Sequence, residues 1–177
     1  VTRLLAGYAD QDQDDRQITV SQLEALPDNM GLPALCRICR YDPSPLVSRG
    51  AAVALMDIGE FKLGKNADEA RQMREGMGSS VRPAAHWVRL FAMQIESPDQ
   101  AVEPWNEAVE RELQLADAPN ADEELAGHGI MLLWNQVRLH LHQGNEAEFM
   151  EVAQRVADRN DTQFNATVEW LVKWTSQ

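Results

Sequence analysis

Apolar residues in this chain recur at steps of three and four almost from end to end, and runs that alternate apolar with polar residues are nearly absent. Steps of three and four bring side chains onto one face of an α-helix, whereas a half-buried strand needs a step of two. The chain is therefore expected to be all-α. Stripes run through Leu32, Leu35, Cys36 and Cys39, then Val47, Ala51, Ala54, Leu55 and Ile58, then Ala70, Met73 and Met77. They continue through Val81, Ala84, Val88, Phe91, Ala92 and Ile95, and through Val102, Trp105, Val109, Leu113 and Ala116. Three more follow: Ala126 to Leu141, Phe149 to Val156, and Phe164 to Val172.

Stop and start signals divide these stripes into about eight or nine helices. Asp10 to Gln17 reads as an acidic loop, with Ser21 and Glu24 as a capping box that opens a short helix. Asp42-Pro43 stops the next helix, Ser44 caps the one after it, and Pro45 takes its first position. The helix Leu46 to Ile58 is apolar on nearly all sides, which marks it as a central one. Ser80 is expected to precede a helix that includes Val81, and Ser97-Pro98 to open another, which Pro104 delays or kinks. Gly144-Asn145 closes a later helix, and Thr162 caps the last. Short turns place consecutive helices antiparallel. The organisation expected is residues 1–20 as a helix end plus acidic loop, then one helical domain over 21–177 with a sub-boundary near 117–120. The opening Thr2 to Tyr8 reads as the end of a helix, which implies a segment upstream.

Composition narrows the function classes. With 16 Lys and Arg against 28 Asp and Glu, the net charge of −12 repels the phosphate backbone that nucleic-acid binders neutralise. No apolar run approaches the ~20 residues of a spanning helix, so no membrane insertion is expected. Two cysteines give no disulfide framework; the redox compartment stays open, with a cytoplasmic setting the expectation.

The candidate chemical sites each meet a simpler reading. Cys36 and Cys39 have the CxxC spacing of redox and zinc sites, but they share a stripe with Leu32 and Leu35 and have no second pair, so buried core thiols are expected. His140 and His142 lie about 200° apart around their helix, and His128 is roughly three turns away, so they cannot share a metal. Asp10, Asp12 and Asp14, followed by Ile18, resemble a degenerate EF-hand loop that could gather carboxylates on calcium. No glycine follows Asp14, however, and Ser21 or Gln22 stands where the bidentate Glu belongs, so a solvated acidic linker is the preferred reading. Trp87, Trp105 and Trp134 fit core stripes, while Trp170 and Trp174, spaced i, i+4 beside a stripe, are the candidate exposed pair for a partner. Nucleophile elbow, phosphate loop and dinucleotide fingerprint are all missing from the sequence.

Leu32 to Glu60, with its leucine-rich first helix, Asp42-Pro43-Ser44-Pro45 turn, Val47, Ala51-Ala52, Ala54-Leu55 and Ile58-Gly59, resembles a HEAT repeat. The basic residue usual after the valine is Ser48 here, with Arg49 one place later. The helix pairs Ser80 to Leu115 and Ala121 to Ala157 are loosely similar to tetratricopeptide hairpins. The resemblance implies antiparallel hairpins stacked as a short α-solenoid of the HEAT, armadillo or tetratricopeptide kind, and with it a non-catalytic protein-interaction scaffold that needs no cofactor. Its acidic surface suits a protein or peptide partner with a basic or amphipathic face. The alternatives are a calcium-responsive regulatory domain using Asp10, Asp12 and Asp14, and an enzyme or enzyme accessory with an unrecognised helical pocket.

Overall fold

The computed structural model describes residues 1–59, 67–120, 132–133, 135–137, 139–140 and 143–158. Those residues are helical or lie in turns, with no strand among them, as the periodicity requires. The expectations that fall on Ala126, Ile130, Trp134, Leu141, Thr162 and the last stripe lie outside the described residues, as do His128, His142, Trp170 and Trp174.

Two compact units divide the chain between Ala101 and Val102, inside a helix. Residues 117–120 are a turn, but one internal to the second unit. Residues 1–20 belong to the first unit.

The first unit begins with α1 (Thr2–Leu5), a 3-10 turn (Tyr8–Asp10) and α2 (Gln13–Glu24). Here the expected acidic loop is replaced by helix. Asp12 accepts the backbone N–H of Asp15 at 2.9 Å and so caps α2 nine residues before the expected cap at Ser21. Ser21 is interior to α2, and its hydroxyl donates to the Gln17 carbonyl. The acidic run looked like solvated loop, yet acidic residues at a cap and first turn are what the positive end of a helix favours.

Helices α3 (Leu32–Tyr41) and α4 (Pro45–Asp57) form the expected pair around the Asp42-Pro43-Ser44 turn. Ser44 caps α4 by accepting from the Val47 N–H, and Pro45 opens the helix. Helix α4 is the centre of the unit: it packs against α2, α3 and α6, and Val47, Ala51, Ala52 and Leu55 are fully buried. Helix α5 (Ala67–Met77) packs on α3 and α6 through Ala70, Met73 and Met77. A Cβ at Gly76 would lie 2.8 Å from the Cys36 sulfur, so a glycine there lets α5 approach α3 closely.

Helix α6 spans Pro83–Glu96 and buries Ala84, Val88, Phe91 and Ala92 as expected, together with Trp87. Val81 departs from the expected stripe and is 95% exposed. The cause is Pro83, which disfavours helical geometry in the residue before it: Arg82 is extended, at φ −65° and ψ 141°, so the helix cannot begin earlier.

Helix α7 (Pro98–Ala116) starts at its serine-proline signal and runs through Pro104, which therefore does not delay it. In the second unit, α7 buries Trp105, Val109 and Leu113. The helical residues before Gly144 bury Leu132, Leu133 and Val137, and α8 (Glu146–Asp158) buries Phe149, Val152 and Val156. Gly144 takes φ 70°, a left-handed conformation suited to glycine, and the Asn145 N–H closes the preceding helix on the His140 carbonyl at 3.0 Å. Gln136 on that segment donates to Asn106 on α7, and Arg155 on α8 pairs with Glu110 on α7.

Leu55 is completely buried at the centre of the first unit. Leu55→Ala should cost about 2–5 kcal/mol through lost burial and the cavity left behind. Urea denaturation checks this, and an unchanged midpoint would contradict the central placement of α4.

Candidate functional site

Asp42, which ends α3 because Pro43 follows it, is a centre of polar contacts in the first unit. Its carboxylate is wholly shielded from solvent. One oxygen, Oδ1, accepts the Ser44 backbone N–H at 2.8 Å and shapes the turn into α4. The other, Oδ2, accepts the Tyr8 hydroxyl at 2.6 Å and lies 3.0 Å from Nε of Arg16. The Arg16 N–H is not aimed along that contact, so the interaction is an ion pair rather than a hydrogen bond. The Asp42 carbonyl accepts from the guanidinium of Arg82, at the start of α6. Ser44 adds a bond from its hydroxyl to Gln13 on α2 at 2.7 Å, and Ser48 donates to the Cys39 carbonyl at 2.5 Å. The N-terminal segment, α2 and the start of α6 thus converge on Asp42 and Ser44 in the α3–α4 turn.

Beside this knot lies an open cavity of about 630 Å³. One wall is a single face of α3, where Ala34, Arg37, Ile38 and Tyr41 follow each other at i, i+3, i+4 and i+7. Leu5, Tyr8 and Ala9 form the opposite wall, and Arg16, Asp42 and Pro43 close it. A second cavity of about 260 Å³ sits between the α4 and α6 starts, lined by Ser48, Arg49 and Arg82 among others. Arg49 is buried with its guanidinium 5.6 Å from the centre of the Trp87 ring, a geometry that lets the ring face stabilise the charge.

Cys36 and Cys39 are free thiols, both buried on the core side of α3. Burial pushes the Cys36 thiol up from its ordinary 9.0 to about 11, against a smaller opposing effect of Arg40. Burial, then the neighbouring Cys36, pushes Cys39 up to about 12, opposed by Arg82, Arg89 and Arg40. Such thiols are poor nucleophiles and poor metal ligands. Burial and then the bond to Asp42 push the Tyr8 phenol above its ordinary value of 10.0. In the second unit, burial lowers His140, opposed by Glu148 and Glu151.

The structure places Asp10 at the end of the 3-10 turn, Asp12 at the α2 cap and Asp14 in the first turn of α2. Among the described residues, no three His, Cys, Asp or Glu side chains are grouped so as to hold a metal ion. Trp105 and Trp87 are core residues, and Trp170 and Trp174 fall outside the described residues. Sequence reading missed the knot around Asp42: its partners Tyr8 and Arg82 are 34 and 40 residues away. It used Asp42 only as a helix stop. Among the described residues, no helix is long and apolar enough to cross a membrane. No protein-family model matches the chain, and neither a curated protein nor a solved structure matches it.

Removing a shielded carboxylate leaves Arg16 without its counter-ion, a loss of about 3–5 kcal/mol for a buried pair. Asp42→Ala should therefore destabilise the chain well beyond Ser44→Ala, for which a lost helix cap costs about 0.5–2 kcal/mol. Equal denaturant midpoints for the two variants would show that Asp42 is only a helix stop.

Cys36, Cys39 and Tyr8 all have folded-state pKa values above their ordinary ones, so the folded chain keeps protons that the unfolded chain releases. Their contribution to stability is complete below about pH 9 and declines as pH rises, first through the thiols and then through Tyr8. Tyr8→Phe should remove the part of the decline that begins near pH 10, as seen in urea midpoints measured from pH 7 to 11. An identical slope in the variant would contradict the Tyr8 assignment.

Proposed function

We propose that this chain is a non-catalytic protein-interaction module, a short α-solenoid whose partner presents a basic or amphipathic face. The observation that carries this reading is the distribution of charge between the units. Residues 1–101 hold 11 Lys and Arg against 14 Asp and Glu; residues 102–177 hold 5 against 14. On α7 the exposed carboxylates Glu103 and Glu107 follow at i and i+4 and line one solvent-facing stripe, which Glu110, paired with Arg155, continues one turn on. On α8, Glu146, Glu148 and Glu151 are exposed as well. A surface of one sign speeds encounter with a partner of the other, and apolar contacts then supply affinity.

The stacking of α3–α4 against α5–α6 supports the solenoid reading, since each pair buries its apolar faces on the next. Within the HEAT-like stretch, Arg49 is buried over Trp87 while Ser48 bonds back to α3. In this reading the displaced arginine serves the packing of α4 on α6, not a polar ladder between repeats.

The direct test is fluorescence anisotropy with an amphipathic Lys/Leu helical peptide and its Glu/Leu counterpart, on the full chain. The Lys/Leu peptide should bind, and more weakly as salt rises, because exposed charges are screened beyond about 8 Å at 0.15 M ionic strength. The double variant Glu103→Lys/Glu107→Lys should weaken binding further, while the Glu/Leu peptide should not bind. Salt-independent binding, or no effect of charge reversal, would overturn the reading.

A further inference from the structure

The cavity beside Asp42 has a charge arrangement that points to a ligand of different chemistry from the partner above. Two of its polar residues are already satisfied: the Tyr8 hydroxyl is held by Asp42, and Arg16 is neutralised by Asp42 while donating to the Gln11 carbonyl at 2.8 Å. What remains is Arg37, an exposed guanidinium on the cavity wall with no ion-pair or hydrogen-bond partner among the described residues. One turn away along the same face is Tyr41, a residue 63% exposed whose ring centre lies 4.7 Å from the Arg40 guanidinium. The rest of the wall is hydrocarbon, from Leu5, Ala34 and Ile38.

A concave apolar space of about 630 Å³ is the size that encloses a small organic molecule, and one unpaired cation at its wall selects the charge of that molecule. We propose that this cavity binds a small apolar carboxylate, an aromatic or medium-chain aliphatic acid. The hydrocarbon body displaces water from Leu5, Ala34, Ile38 and Tyr41, and the carboxylate pairs with Arg37, whose planar fork matches two carboxylate oxygens. Neutralisation of Arg16 within the protein is what leaves a single cation to be matched, so a monoanion fits better than a dianion. Residues 1–101 are close to charge balance, so the unit that holds the cavity sets little net repulsion against an anion. The site does not depend on the partner reading above, and either can fail without the other.

Isothermal titration calorimetry of the full chain with 2-naphthoate and decanoate, and with neutral 2-naphthylmethanol, tests the proposal. The acids should bind saturably at one site, and the neutral alcohol roughly tenfold more weakly, the value of one charge-assisted pair. Arg37→Gln, at an exposed position, should weaken the acids by the same factor without altering the alcohol or the thermal midpoint. Ala9→Trp, which places a large ring at the exposed opposite wall, should abolish binding of all three. Acids that bind Arg37→Gln or Ala9→Trp as tightly as the unaltered chain would overturn the proposal. So would equal affinity for the alcohol, no saturable binding of either acid, or binding of an acidic peptide with none of the small acids.

Discussion

A carboxylate removed from water must be matched by charge and hydrogen bonds, and in this chain that requirement falls on Asp42. Its two oxygens and its carbonyl are met by Tyr8, Arg16, Ser44 and Arg82, which come from four separate stretches of the first unit. A buried ion pair contributes little net stability, because the desolvation of both charges offsets most of their attraction. Its effect is on alternatives. Any packing that leaves Asp42 shielded but unmatched is costly, so the α3–α4 turn, the N-terminal segment and the start of α6 are held in one mutual arrangement.

That arrangement also makes the cavity. The N-terminal segment buries no residue of its own within α1 or the 3-10 turn, so apolar packing alone would not hold it. The bond from Tyr8 to Asp42 brings it against the outer face of α3, and the space between them is lined by hydrocarbon because α3 carries Ala34 and Ile38 there. The same pairing neutralises Arg16, which leaves Arg37 as the cation of the wall. One interaction thus shapes the cavity and sets its charge.

The two units carry different electrostatic characters. Residues 1–101 are close to neutral, with several arginines turned to structural use: Arg40 donates to the Gly76 carbonyl, Arg89 to the Gly78 carbonyl, and Arg49 stacks on Trp87. Residues 102–177 have few cations, and carboxylates stand exposed along α7 and α8. A single net charge of −12 conceals this division, which is why composition suggested one uniformly acidic surface.

The sequence by itself determined the helical class, the α3–turn–α4 pair with its Ser44 cap, the central burial of α4 and the core position of Cys36 and Cys39. Each follows from local rules: periodicity of 3.6, proline geometry and side-chain capping act over a few neighbouring residues. Even some local signals were misjudged. Asp12 with Asp15 three places on was a helix start read as a loop, and Arg82-Pro83 was a boundary that should have excluded Val81 from its stripe. What only the tertiary structure decided is which distant residues share a neighbourhood. The pairing of Tyr8 and Arg16 with Asp42, the cavity it frames and the isolation of Arg37 leave no periodic trace in the chain. They arise from how packed helices bring together residues tens of positions apart, a matter of three-dimensional shape that spacing along the chain does not encode.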